Sequence, residues 1–126
     1  VSSIEIRQVS CAEARRDAMA LFAENFDEAG WSGQGLKVNF NAQVYLALEA
    51  SGRHFILGGY VDGVLVGYSG CVVCQHMHDC SLTIASSDVL FVSKAYRKTS
   101  LGLRLIRDTE AEARRRGAAM VIWKAR

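Results

Sequence analysis

Proline is absent from all 126 residues. Every chain reversal must therefore be made with glycine, Asp or Asn, and no segment is stiffened into a polyproline spacer. No apolar run reaches the roughly 18 residues that a membrane-spanning helix needs, and no basic, then apolar, then small-residue leader opens the chain. Charge of one sign is also lacking: 15 Lys and Arg stand against 13 Asp and Glu, a net charge of +2. That is too mild a balance to argue for a nucleic-acid surface. No Gly-x-x-x-x-Gly-Lys-Ser/Thr run is present, which sets aside a phosphate-loop nucleotide binder. Cysteine is sparse, with four residues. Extracellular disulfide scaffolds are usually shorter and richer in it, so free thiols in a reducing cytoplasm are expected. What is present is half apolar and 22% charged, the balance of a soluble globular chain. The expectation is one domain, residues 1–126, burying about two-thirds of its unfolded surface.

Periodicity divides the chain. Ile4 to Val9 alternates apolar and polar residues and predicts a strand. Ser10 and Glu13 have the spacing of a capping box. A helix follows to about Gly30, with Ala14, Ala18, Leu21, Phe22 and Phe26 on one face. Gly30 to Gly35 holds three glycines and Trp31; it reads as a mobile loop whose tryptophan either walls a pocket or anchors the loop. A second helix is predicted from about Asn41 to Ser51, with Val44, Leu48 and Tyr45 facing inward. His54 to Val61 is strand-like, Asp62-Gly63 is a two-residue hairpin turn, and Val64 to about Cys74 returns as a strand. This strand is apolar on both faces and so should be central. A tip around His76 to Cys80 leads to a strand from Ser81 or Leu82 to Val92. A helix from Ser100 to Arg116 carries Gly102, Leu105, Ile106, Thr109 and Ala113 on one face. Gly117 ends it, and Ala119 to Trp123 is the last strand. Arg114, Arg115 and Arg116 fall in a last helical turn, where they complement the dipole. The order is β-α-α-β-β-β-α-β.

The stretch from Asp88 to Ile106 carries the chemistry. A strand runs out, a basic tight turn follows, and a helix opens with small residues. Unpaired amides at a helix N-terminus, with Arg97 and Lys98 beside them, suit a pyrophosphate or another phosphate. An ordinary capped helix has the same appearance. The residues Leu90-Phe91-Val92, Tyr96-Arg97, Gly102 and Leu105-Ile106 resemble motif A of the GNAT superfamily, the Gcn5-related N-acetyltransferases. The hairpin from Val61 to Gly67 is similar to the family's β2–β3 hairpin. Ser100 and Lys98 stand where that motif commonly has glycine; Ser100 is small enough to cap the helix itself.

The resemblance implies an α/β (α+β) fold with a central mixed, mostly antiparallel sheet flanked by helices. It further implies a transferase of the acyltransferase class, moving an acetyl group from acetyl-CoA to a primary amine by direct attack. Leu90, Phe91 and Val92 would hold the pantetheine through their backbone. Arg97, Lys98, Thr99, Ser100, Leu101, Gly102 and Leu103 would cradle the pyrophosphate. Asp88 is the first candidate base: it stands four residues before Val92, and a carboxylate in an apolar strand calls for a partner. A purely structural Asp is equally compatible. His78 is the second candidate. Glu24 and Glu28 are either contacts for a cationic acceptor or a solvated helix face.

Cys74, His76, His78 and Cys80 share the spacing of one strand face. Neighbours on such a face lie about 7 Å apart, so four of them on a straight strand cannot close a tetrahedron. No metal is expected. The acceptor is a small molecule or a protein amine, without nucleic acid or membrane. Related GNAT domains continue past the last strand with a helix and two more strands, so a short domain is expected, with the possibility of a homodimer through its final strand. A GNAT-like domain with weak or no catalysis, serving to bind CoA or to assemble with partners, is the alternative.

Overall fold

The computed structural model describes residues 3–29, 34 and 40–124. Its elements are β1 (Ile4–Val9), α1 (Cys11–Asp17), α2 (Met19–Glu28), α3 (Ala42–Ala50), β2 (His54–Val61), β3 (Val64–His76), β4 (Asp79–Val92), α4 (Leu101–Arg115) and β5 (Val121–Ile122). The strands form a mixed sheet in the order β1-β2-β3-β4-β5. All neighbours are antiparallel except β4 and β5, which run parallel. The parallel pair needs a crossover, and α4 supplies it. As its two apolar faces predict, β3 is central. Among the described residues no helix is long and apolar enough to cross a membrane.

Local chemistry accounts for the element ends. The amide of Glu13 donates to Ser10 Oγ at 3.1 Å and that of Ser10 to Glu13 Oε1 at 3.2 Å, closing the capping box. Asn41 caps α3 by accepting from the Val44 amide. Asp62 and Gly63 both hold positive φ, 50° and 82°, as a tight primed hairpin turn demands. Gly117 leaves α4 at φ 89°.

The sheet is packed on both faces. On one, α4 buries Leu101, Leu105, Thr109 and Ala113 against Phe55, Leu57, Val66 and Ala85. Truncating a fully buried leucine such as Leu105 to Ala costs about 2–5 kcal/mol. The helix lies close because β2 and β3 offer glycines below it. A Cβ on Gly59 would come 2.6 Å from Leu101 Cδ1, and one on Gly67 would come 3.0 Å from the Phe91 carbonyl oxygen. Within this layer the buried Thr109 hydroxyl donates to Ser69 Oγ at 2.8 Å. The basic run at the end of α4 is used internally: Arg115 and Arg116 both pair with Glu112, and Arg116 also lies over the Phe55 ring. On the other face, α1 and α2 bury Ala14, Ala18 and Leu21 above Val9, Tyr60, Tyr68 and Phe91.

Several sequence expectations are corrected. The first helix is two, broken at Ala18, whose φ and ψ of −118° and 9° leave the helical range. The break lets α1 pack on β2 and α3 while α2 turns over β3 and β4. Val44 is exposed, because α3 meets the body through Tyr45 and Leu48 instead. The β3–β4 hairpin is longer than expected, with only Met77 and His78 at its tip. The last strand is two residues long, not five, since only Val121 and Ile122 pair with β4. Ser100 makes no side-chain cap; the Thr99 hydroxyl accepts from the Leu101 amide at 3.3 Å. Trp31 lies outside the described residues.

Candidate functional site

The site begins with one surplus residue. Val89 of β4 sits opposite Gly70 of β3 and Ser87 opposite Cys71, so Asp88 between them has no partner and forms a β-bulge. Bulges bend a strand and re-aim its side chains. Two consequences meet here. First, β4 and β5 pair only at Ala85–Val121 and Ser86–Ile122. Among the described residues no strand pairs with Ser87–Val92 on that side, which leaves this edge of β4 open toward the start of α4. Second, Asp88 and Val89 both line a space on the opposite face together with residues of α1, α2 and α3, with Asp88 still open to solvent.

Along this edge Leu90 and Val92 are half-buried and Phe91 lies between them with its ring in the core, and Lys98 to Leu103 carry the chain into α4. The first-turn amides of Gly102 and Leu103 have no intrahelical acceptor. A Cβ on Gly102 would meet only Val92 Cγ2, at 3.8 Å. These residues fit a phosphate-bearing chain laid along β4. Arg97 is otherwise engaged: its Nε donates to the Val92 carbonyl at 2.9 Å, and its guanidinium pairs with Glu28. Glu24 also grips this loop, accepting from the Ser93 hydroxyl at 3.1 Å and from the Lys94 amide at 3.1 Å. Glu24 and Glu28 thus bind the β4–α4 loop and do not line the cavity described next.

Behind Asp88 lies a cavity of about 680 Å³. Phe22, Phe40 and Tyr45 form an arc of edge-on rings along it, with Tyr68 stacked edge-on against Phe22. The Tyr45 hydroxyl donates to Asp88 Oδ2 at 2.7 Å. Burial first, and the Asp88 carboxylate second, raise the Tyr45 pKa, so it remains a proton donor. His54 is 2% exposed and stands edge-on to Tyr45. Its Nδ1 is 3.8 Å from Cys11 Sγ. Burial lowers its pKa, so the ring is neutral at pH 7. Burial also pushes the Cys11 thiol up to about 12, with Glu49 adding to the shift. A thiolate nucleophile is therefore not on offer here.

The structure thus brings Asp88 together with Tyr45, His54 and Cys11, three residues that sequence reasoning did not assign to the site. His78 is not brought to it: it is exposed at the hairpin tip, its amide donating to His76 Nδ1. A hairpin this long carries its tip away from the bulge. All four cysteines are free thiols. Among the described residues no three His, Cys, Asp or Glu side chains stand together as metal ligands.

The fold has solved counterparts. An aminoglycoside acetyltransferase from an uncultured soil metagenomic sample is 20% identical with a TM-score of 0.76, covering 98% of this chain and 80% of that one. Glucosamine-6-phosphate N-acetyltransferase from Arabidopsis thaliana is 13% identical with a TM-score of 0.72, over 98% and 83%. Ribosomal-protein-alanine N-acetyltransferase from Brucella melitensis biovar Abortus 2308 is 18% identical with a TM-score of 0.70, over 98% and 81%. At such identities the likeness is one of fold. A comparison with proteins of curated function returns no match. The sequence profile of the Acetyltransferase (GNAT) family matches residues 12–126. With the bulged β4, the unpaired edge beside it among the described residues and a profile match over most of its length, the chain belongs to the GNAT acetyltransferase family.

Proposed function

We propose that the protein transfers an acetyl group from acetyl-CoA to a primary amine by direct attack. The observation that carries this reading is the unpaired edge of β4 from Ser87 to Val92, leading to the N-terminus of α4. The backbone of Leu90, Phe91 and Val92 suits the pantetheine amides as an added strand would, except that the Val92 carbonyl is already held by Arg97. The amides from Thr99 to Leu103 and the exposed Lys98 suit the pyrophosphate. The amine enters from the cavity on the other side of β4. Asp88 accepts a proton from the ammonium, and the neutral nitrogen attacks the thioester carbon. The C–N bond forms, the C–S bond breaks with its electron pair on sulfur, and the remaining nitrogen proton reaches the thiolate through solvent. The chain contributes mainly by positioning the two reactants. The high pKa of Cys11 favours this single displacement over an acyl-cysteine route.

Acetyl-CoA is expected to raise the melting temperature, and Gly102→Glu to abolish the rise by putting a carboxylate where the phosphates belong. A shift unchanged in the variant would place the coenzyme elsewhere. Coenzyme binding without thiol release over a broad amine panel would favour a binding domain without catalysis.

A further inference from the structure

The acetyl-transfer reading leaves the acceptor open, and the charge of the cavity narrows it. We propose that the acceptor is a monoamine carried on an apolar body of aromatic size, and not a polycation. This inference rests on the proposed acetyl transfer for its chemistry and on the cavity for its choice of substrate.

The volume of about 680 Å³ is that of a small-molecule site. Phe22, Phe26, Phe40, Ile56, Leu65 and Val89 supply apolar walls. Of the polar side chains along it, His54 keeps a buried Nε2 without a partner among the described residues, while Asn25 and Tyr45 are used within the protein. Asn25 Nδ2 donates to the Tyr68 hydroxyl at 3.1 Å, and Tyr45 donates to Asp88. Asp88 is the single carboxylate among the described lining residues; of the two exposed arginines on the same lining, Arg16 is paired with Asp17, which leaves Arg15 as the cation that an incoming ammonium meets. Residues 30–39 contain no Asp or Glu and one lysine, Lys37, so that segment brings no carboxylate whatever its path.

One ammonium therefore finds one counter-charge, at the bulge beside the open edge of β4 assigned to the coenzyme. A second or third ammonium on the same molecule would meet Arg15 or aromatic rings, whose cation–π attraction offsets less of the lost hydration than a carboxylate does. The apolar remainder of a monoamine gains by leaving water. Two acetyltransferases of the same fold are named for aminoglycosides, which are polycations; the lining of this cavity argues against that class here. Gly70 keeps the floor low. A Cβ there would rest 3.4 Å from Val89 Cγ1 and 3.7 Å from His54 Nε2, so alanine fits and a larger side chain must enter the cavity.

Thiol release from acetyl-CoA should be followed with 2-phenylethylamine and hexylamine on one side and spermidine and sisomicin on the other. The expected result is a kcat/KM at least about 10-fold higher for the monoamines, the scale of discrimination that one pocket provides. Gly70→Ile should remove monoamine turnover while the acetyl-CoA thermal shift persists. Ala42→Phe, from the α3 wall, serves if Gly70→Ile does not fold. Met19→Glu, at the exposed rim, should raise turnover of spermidine. Equal rates for the two classes, or a preference for polycations, would overturn the proposal. So would calorimetry showing no 2-phenylethylamine binding with CoA present. If 2-phenylethylamine binds, Gly70→Ile blocks it, and acetyl-CoA does not bind, the cavity assignment stands and the acetyl-transfer reading falls.

Discussion

Asp88 has a side chain in the cavity only because β4 holds one residue more than β3 across the bulge. Its carboxylate is hydrogen-bonded by Tyr45, and Asp88→Asn keeps that acceptor while removing the charge. The variant is expected to lose about 10²-fold or more in acetylation rate, the range for a positioned acid or base, with acetyl-CoA affinity nearly unchanged. Steady-state rates alongside a coenzyme titration check this, and a full rate would make Asp88 structural. His54 gives a pH prediction. Its folded pKa is held below the ordinary 6.5, chiefly by burial. Asp88 and Glu49 pull it upward and Arg116 pushes it down, while Cys11 and Tyr45 pack on the ring. Between the depressed folded value and 6.5 the unfolded chain binds the extra proton, so stability rises with pH there. The contribution of neutral His54 is therefore complete above about pH 6.5 and falls away as pH drops below it. Melting temperatures from pH 7 to pH 5 should fall more steeply in the parent than in His54→Gln.

At the scale of elements, the order of strands and helices was largely legible because its signals are local. The alternation in Ile4–Val9, the Ser10–Glu13 box and the Asp62-Gly63 turn each lie within six residues. The break at Ala18 was not, since neither glycine nor proline marks it and the cause is what α1 and α2 separately cover. The candidate site was half legible. Asp88 stands in a motif that can be recognised, whereas Tyr45 meets it from 43 residues away and Cys11 meets His54 across another 43, and a histidine opening an apolar strand looks like any core position. The seat of α4 was equally hidden, because nothing in the sequence says that Gly59 lies under Leu101. Gly59→Ala is expected to cost about 1–3 kcal/mol by overpacking, and much less when made in a Leu101→Ala background, although Leu101→Ala is itself destabilising. Gly67→Ala should resist such rescue, since its Cβ would meet the Phe91 carbonyl oxygen and not the end of a side chain. Denaturant titrations of the single and double variants measure the coupling.

Across the whole molecule, the sheet sets the open edge of β4 apart from a cavity on one face, and α2 touches the surroundings of both. One side of α2 lends Phe22 and Phe26 to the cavity; the other holds the β4–α4 loop through Glu24 and Glu28. Any phosphate that draws Arg97 toward the start of α4 must compete with Glu28 for it. Glu28→Gln should therefore tighten acetyl-CoA binding by roughly 2- to 5-fold, the worth of a partly exposed ion pair, as calorimetry would register. On the proposed reading, α2 would then be held by fewer contacts to the loop while still carrying the ring wall of the cavity. Coenzyme and amine are then expected to be thermodynamically linked: whatever factor the first contributes to the affinity of the second, the second returns to the first. Order of addition then becomes a property of α2, and a substitution at Glu28, which does not line the cavity, should be felt in the apparent affinity for the amine.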